Sequence, residues 1–514
     1  MEPGFRRDRL RQVGRAAWKW TPLVCFVAVI SAYYMFVVSA GRWDVWPLWT
    51  AFDDAQAEGF RQGHLYLPEV PSAALRHLAD PLNPANMPLW RWDHSYYHGR
   101  FYLYWGLVPA LLLAAVKVVF QIHRVVPDSV VVFAFFVGRL VAGTLLIRGL
   151  AGTMSVRPPR WAVGLAMTVF ALAHPTPYTL ARGAVYEVAI GAGACFMVAA
   201  LGLAFRGIFS ASPRTANRWL AAASVCFGLA GGSRVSLFPA VVLLVALTAL
   251  ARWRIDGGDR RRLLGVILAS CAPAAALALG HLVLNRLRYD AWTEFGARYQ
   301  LGYPPLRAGL RFVIPDLFAY LFCPPTHACG FPFLFGKWNT TRPLSPSWLT
   351  WPADHHTAEP TTGLLTVAAF CWLAVGGLLF AITRRRVGGR AVAEPPPPAA
   401  VWRARWVGGA LVTYVVASAV PLVLLSSISM RYEADFASGV LLIAILVGWR
   451  LVSSPASRRA RAAAAALYVL LAIGTIVPGV LLGFSGYFDN FARHNPALLH
   501  RLESRLSVCP VERR

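Results

Sequence analysis

YWGLVPALLLAAVKVVF, residues 104–120, decides how this chain is threaded. The run is apolar enough to be a membrane span, and counting it as one reverses the sidedness of everything after it. It also carries Gly106, Pro109 and Lys117, and a charged side chain inside hydrocarbon is costly. The Arg-rich loops settle the choice. They lie at 148–160 (RGLAGTMSVRPPR), 206–218, 252–262 (RWRIDGGDRRR), 383–405 and 450–461. All of them fall on the cytoplasmic side, where positive charge collects, only if an even number of spans precedes residue 148. Residues 104–120 are therefore predicted to lie in the interface or to re-enter, not to cross.

Outward from that run the chain reads as one apolar span after another. Of its 514 residues, 57% are hydrophobic and 14% charged, against about 25% charged in ordinary soluble domains. Apolar runs of about 17 to 25 residues match the thickness of a bilayer core. The expected fold class is an all-α polytopic integral membrane protein with about 11 transmembrane helices, in a range of roughly 10 to 13, and interfacial helices in the first outer loop. Spans are expected near 21–40, 130–150, 160–180, 185–206, 218–232, 235–252, 263–284, 362–383, 406–427, 435–451 and 462–484. Residues 1–20 are a basic cytoplasmic arm without an evident cleavage site, so no cleaved leader is expected. A transmembrane module, 21–284, carries the working outer loop 41–120; then follow an outer loop, 285–361, further spans, 362–484, and an outer tail, 485–514. The expected location is the cytoplasmic (inner) membrane, multi-pass, with the chemistry on the extracytoplasmic side.

A formal charge of +26 invites a nucleic-acid reading. The basic residues sit in short loops between apolar runs, as the positive-inside bias places them, and this excludes nucleic acid as the partner. Lys occurs only at Lys19, Lys117 and Lys337, so the charge is almost all Arg.

Candidate chemistry gathers in the outward segments. Asp53 and Asp54 follow the first span, and a carboxylate near the membrane surface can act as general base for a hydroxyl. The alternative is that one of them caps the helix they begin. His64, Asp93, Tyr96 and Tyr97 lie in the same loop, where aromatic faces suit sugar rings or apolar chains, although an interfacial aromatic belt gives the same pattern. Arg182, Arg234 and Arg431 stand at outer ends of spans, with Tyr186 and Tyr432 beside two of them. Each could be ion-paired by Glu187, Glu433 or Asp435; converging, they would bind a phosphate, which the guanidinium fork fits. In WPADHH, Asp354, His355 and His356 are weak evidence for a metal, since adjacent side chains diverge. Cys323 and Cys329, in CPPTHAC, could close a disulfide in an oxidising compartment, leaving Cys509 unpaired; with His327, a zinc site there wants a clear fourth ligand. Asn339 opens a glycosylation sequon, and AEPPPP at 393–398 reads as a stiff linker. Walker, GxSxG and HExxH motifs are absent.

FDDAQAEGFRQGHLYL (52–67), a non-crossing apolar segment, VGRLVAG (137–143) and ARGAVYE (181–187) together resemble the GT-C superfamily of membrane glycosyltransferases that use polyprenyl-phosphate sugars. The likeness covers about the first 250 residues in order. It implies an inverting transfer in which Asp53, or secondly Asp54, deprotonates the acceptor while basic groups receive the departing polyprenyl phosphate. The chain has LYWGLVPALL where mannosyl- and aminoarabinose-transferring relatives carry a Pro-Pro-Leu stretch, which leaves sugar and acceptor open. The partners implied are a polyprenyl-phosphate sugar donor, membrane lipid and a glycan, lipid or protein acceptor; a divalent cation is the one candidate cofactor. The competing readings are a transporter or flippase for a lipid-linked saccharide or other anion, and a non-catalytic assembly partner.

Overall fold

The computed structural model describes residues 3–302, 306–336, 345–386, 397–454 and 457–509. The sequon at Asn339 and most of the Pro-rich linker lie outside these residues. In chain order the helices are α1 (Pro3–Val38), α2 (Phe52–Arg61), α3 (Ala73–Arg76), α4 (Val108–Val119), α5 (Asp128–Thr153), α6 (Arg160–Leu172), α7 (Thr176–Leu180), α8 (Val185–Phe209), α9 (Pro213–Ser233) and α10 (Phe238–Ile255). They continue as α11 (Arg260–Tyr289), α12 (Val313–Phe322), α13 (Leu364–Val367), α14 (Trp372–Arg386), α15 (Pro398–Val423), α16 (Ala434–Ser453), α17 (Arg458–Ser485), α18 (Asn490–His494) and α19 (Pro496–Leu506). Among the described residues, eight helices are long and apolar enough to cross a membrane, those built on α1, α5, α8, α10, α11, α15, α16 and α17. The basic arm is no separate element, since α1 begins at Pro3 and runs on into the span. The expected span 160–180 is broken by Ala173–Pro175 into α6 and α7.

The stretch 104–120 becomes α4, 12 residues long, or about 18 Å at 1.5 Å per residue, too short for a hydrocarbon core of about 30 Å. One face, with Leu111, Val116, Val118 and Val119, is exposed, whereas Leu113, Ala114 and Lys117 are buried. A Cβ at Gly106 would run into the backbone of Gly232 and Ser233, so glycine lets the approach to α4 lie directly on the end of α9.

Two ends of the bundle differ sharply. At one, Arg148 lies 4.5 Å from the Trp20 ring, Arg252 Nη1 donates to the Ser210 carbonyl at 2.8 Å and Arg403 Nε to the Ile208 carbonyl at 3.4 Å. The Arg-rich helix ends therefore gather together, as the loop pattern required. The opposite end is capped by residues 41–107, 290–302, 306–336 and 345–363 and by the tail. Short strands tie these loops together. Antiparallel β1 (His94–Tyr97) lies between β2 (Arg100–Tyr102) and β3 (Gln300–Leu301); β4 (Thr326–His327) pairs with β5 (Leu334–Phe335); and β6 (His356–Thr357) runs parallel to β7 (Ser427–Ile428).

The cysteine expectation is corrected. Cys329 is disulfide-bonded to Cys509, 180 residues away, while the buried Cys323 thiol donates to the Thr361 carbonyl at 3.7 Å. A pairing within CPPTHAC would have closed a short loop, whereas the tail returns to this loop: Val508 N–H donates to the Cys329 carbonyl at 3.0 Å and Phe331 N–H to Ser507 Oγ at 3.0 Å. The same bond removes Cys329 as a zinc ligand.

Candidate active site

Helix α2 starts on Ala51, which has no side chain able to cap, and neither Asp53 nor Asp54 caps it. The cap comes from α5. Asp128 Oδ2 accepts the Phe52 N–H at 3.1 Å and the Thr50 hydroxyl at 2.5 Å, satisfying backbone donors that a helix start leaves open. Both neighbouring carboxylates are thereby released from that task, and they part company. Asp54 Oδ1 accepts from Lys117 Nζ at 2.6 Å and from the Val126 N–H at 3.1 Å; the ion pair is buried, with side chains 2% and 8% exposed, and pins α4 to α2. Asp53 is 3% exposed and accepts no side-chain hydrogen bond from the described residues. Burial, and after it the nearby Asp128 carboxylate, hold the Asp53 pKa well above the usual carboxylate range.

Thr50 is the joint to the second half of the site. Its Oγ1 also accepts the Val185 N–H at 2.9 Å, so the start of α8, with Tyr186 and Glu187, is set against the start of α2. The Tyr186 hydroxyl donates to Asp93 Oδ1 at 2.5 Å and lies 2.8 Å from the Tyr104 hydroxyl, which takes a hydrogen bond from Gln300 Nε2 at 2.8 Å. The β1–β3 pairing delivers Gln300 to this network. The Tyr186 ring lies under the Arg431 guanidinium, 3.9 Å from its centroid.

Arg182 and Arg431 do converge. Both contact Oε1 of Glu359, Arg182 Nη1 at 2.6 Å, and both face Glu187 Oε1, at 3.5 Å and 3.6 Å. Arg182 is also shelved on the Phe488 ring, 4.6 Å away. Arg234 lies one ring further on, 5.2 Å from Tyr432, bound through Nε to both Asp435 oxygens at 2.6 Å. Glu433, expected as an arginine partner, instead meets His174 Nε2 at 3.1 Å, both fully buried. The remaining loop candidates make their contacts elsewhere. His64 stacks on Tyr66 at 4.6 Å, Tyr96 packs on Phe101, and Tyr97 donates to Asp290 at 3.3 Å.

The two histidines of WPADHH separate as adjacent residues must. His356 enters β6, and His355 Nε2 lies 2.7 Å from Asp316 Oδ1 on α12. That distance would serve an ion pair. Burial nevertheless pushes the Asp316 carboxyl up to about 9, and its Oδ2 is unpartnered among the described residues; both favour a neutral acid donating to the imidazole. Among the described residues no three His, Cys, Asp or Glu converge as a metal ion would need.

The helical framework is similar to that of an archaeal oligosaccharyltransferase. Against the apo crystal structure of the Archaeoglobus fulgidus enzyme the TM-score is 0.48 at 15% identity, covering 95% of this chain and 60% of that one. Against AglB of the same organism in complex with an inhibitory peptide and a dolichol-phosphate it is 0.48 at 14% identity, with the same coverage. The form tethered to an acceptor peptide gives 0.47 at 13%, covering 96% and 59%. The chain thus spans about 60% of the length of these structures, and at such scores the likeness assigns no residue a role. No protein-family model and no curated protein matches the chain.

Asp128, Glu359, Gln300 and Tyr104 escaped the sequence reading. Asp128, the first residue of an apolar run directly after Pro127, looks like an ordinary helix start. Glu359 is a lone acid in a polar loop. Only Lys117, a charge inside an apolar run, carried a signal that it needed a buried partner.

Proposed function

We propose that this chain is an inverting GT-C-type glycosyltransferase, moving a sugar from a polyprenyl-phosphate carrier to an acceptor hydroxyl on a glycan, lipid or protein at the outer face of the cytoplasmic membrane. The observation that carries this reading is a buried Asp53, unpartnered among the described residues, on a helix whose start Thr50 ties to the start of α8, where Tyr186 lies under Arg431 of the arginine pair. Asp53 takes the acceptor's proton as the acceptor oxygen bonds to the anomeric carbon. The bond from that carbon to the phosphate oxygen breaks with its electron pair, and Arg182 and Arg431 stabilise the charge that develops. Asp93, held by Tyr186, and Gln300 face the sugar. Asp54 keeps Asp53 in place by locking α2 to α4; it is itself spent on Lys117. We read α6–α7, α9 and α13–α14 as further crossings, which makes eleven. The outward placement is supported by the gathering of Arg at the opposite end and by the Cys329–Cys509 disulfide at the site end, which suits an oxidising compartment.

The test is purified chain given a labelled polyprenyl-phosphate sugar and candidate acceptors. Wild type should release free polyprenyl phosphate, and Asp53→Asn should cut the rate by about 10²- to 10⁴-fold while melting as wild type does. Absence of release with every acceptor, together with an Asp53→Asn phenotype like wild type in cells, would sink the enzyme reading and favour transport.

A further inference from the structure

Glu359 is the part of the arginine cluster that the transfer reaction does not by itself explain. Its Oε1 is shared between Nη1 of Arg182, at 2.6 Å, and Nη1 of Arg431, and its Oε2 takes the Ser429 hydroxyl at 2.6 Å. One oxygen between two guanidinium groups, with the second oxygen on a hydroxyl, is the way a phosphate oxyanion is held between arginines. Glu187 sits further off, at 3.5 Å and 3.6 Å. Nε of Arg182, Nε of Arg431 and Oε2 of Glu187 are buried and unpartnered among the described residues, so the cluster has hydrogen-bonding capacity that its own glutamates do not use.

Resting on the phosphate-site reading above, we infer that Glu359 is a resident anion: it occupies the place of the donor's phosphate, aligns Arg182 and Arg431, and gives way when that phosphate arrives. Its backbone stays put, because β6 is paired with β7 and the Ala358 N–H donates to the Ile428 carbonyl at 2.9 Å; the exchange is a rotation of the side chain. Charge then sets the substrate class. Two arginines and two glutamates are formally neutral together. With Glu359 off the arginines, Arg182, Arg431 and Glu187 carry one net positive charge, which matches the single negative charge of a phosphodiester. A diphosphate diester, with two, is left one short. Glu359 therefore sets the threshold for donor binding, and the single positive charge left when it moves off selects monophosphate over diphosphate carriers.

The probes are farnesyl methyl phosphate, with one negative charge, and farnesyl methyl diphosphate, with two, titrated into the full chain in nanodiscs. Wild type should bind the monophosphate more tightly. Glu359→Gln should bind both about tenfold or more tightly, since a unit charge about 4 Å away is worth at least that at an effective dielectric constant of about 20, with the diphosphate gaining most. Equal or weaker binding by a folded Glu359→Gln overturns the inference. If wild type binds, Arg431→Ala does not, and Glu359→Gln is no tighter, the phosphate site stands and the role of Glu359 falls. If neither probe binds wild type or Glu359→Gln, both fall. Should Glu359→Gln not fold, Ser429→Ala, which frees Oε2, should tighten the monophosphate by about threefold or more, and unchanged affinity there counts against the proposal.

Discussion

Burial raises the pKa of both the Asp53 and the Asp316 carboxyls, and their responses to pH separate their roles. For each, the folded-state pKa is raised above the unfolded value. Each therefore contributes stability that is whole below the ordinary carboxylate range and is lost as pH rises through the raised pKa. For Asp316 the window runs from 3.8 to about 9, so Asp316→Asn should flatten the alkaline fall in melting temperature, read by scanning fluorimetry across that range, and leave the pH–rate profile as it was. Asp53 adds a second effect of opposite sense. A general base works ionised, so kcat/KM should climb with pH above the ordinary carboxylate range while stability falls; a flat profile would place the base elsewhere. Of these residues the acidic pair was legible, since two acids directly after an apolar run are conspicuous. Which of them was free was not, because Lys117 lies 63 residues on from Asp54 and the cap lies on Asp128, at the head of a helix that reads as plain span.

Helix α4 is an apolar element held by one charge. Its exposed Leu and Val side chains face lipid on the proposed topology, and its inner face is fastened through the Lys117–Asp54 pair. Removing one partner of a buried ion pair costs about 3–5 kcal/mol, because the survivor is left uncompensated. Lys117→Ala should therefore lower stability by roughly that amount and loosen α2, whereas Lys117→Met with Asp54→Leu should recover most of it, as measured by denaturant melts of both variants in detergent. If transfer survives in the double variant, Asp54 is confirmed as support; loss of transfer with stability restored would move catalytic weight onto Asp54. The loop charges around this element argue for a segment that does not cross, and its 12-residue length is in keeping with that reading. Its anchoring was not legible, because a pairing between elements does not show in the periodicity of either.

At the scale of the molecule, the tail closes the site end. Asn490 Nδ2 donates to the Val37 carbonyl at 3.0 Å and Asn495 Nδ2 to the Ala40 carbonyl at 2.9 Å, so the last helices rest on the end of the first, and the disulfide fixes them to the loop 323–336. Cys509→Ser, or mild reduction, should lower stability by about 2–5 kcal/mol and slow transfer, since Phe488 shelves Arg182; unchanged donor use in the reduced chain would confine the bond to stability. The apolar helices and the gathering of Arg at one end could be read from apolar runs and Arg loops because both are local signals repeated along the chain. The disulfide partner and Glu359 could not, because closure over 180 residues leaves no local trace. The borrowed cap of α2 carries one more consequence. A ten-residue helix does not hold its shape alone in water, so Asp53, the base of the proposed reaction, takes up its position only once the head of α5 has been threaded and docked beneath it. Reactivity is thus a report on completed insertion: a chain stalled partway into the bilayer carries its acid but has nothing to aim it.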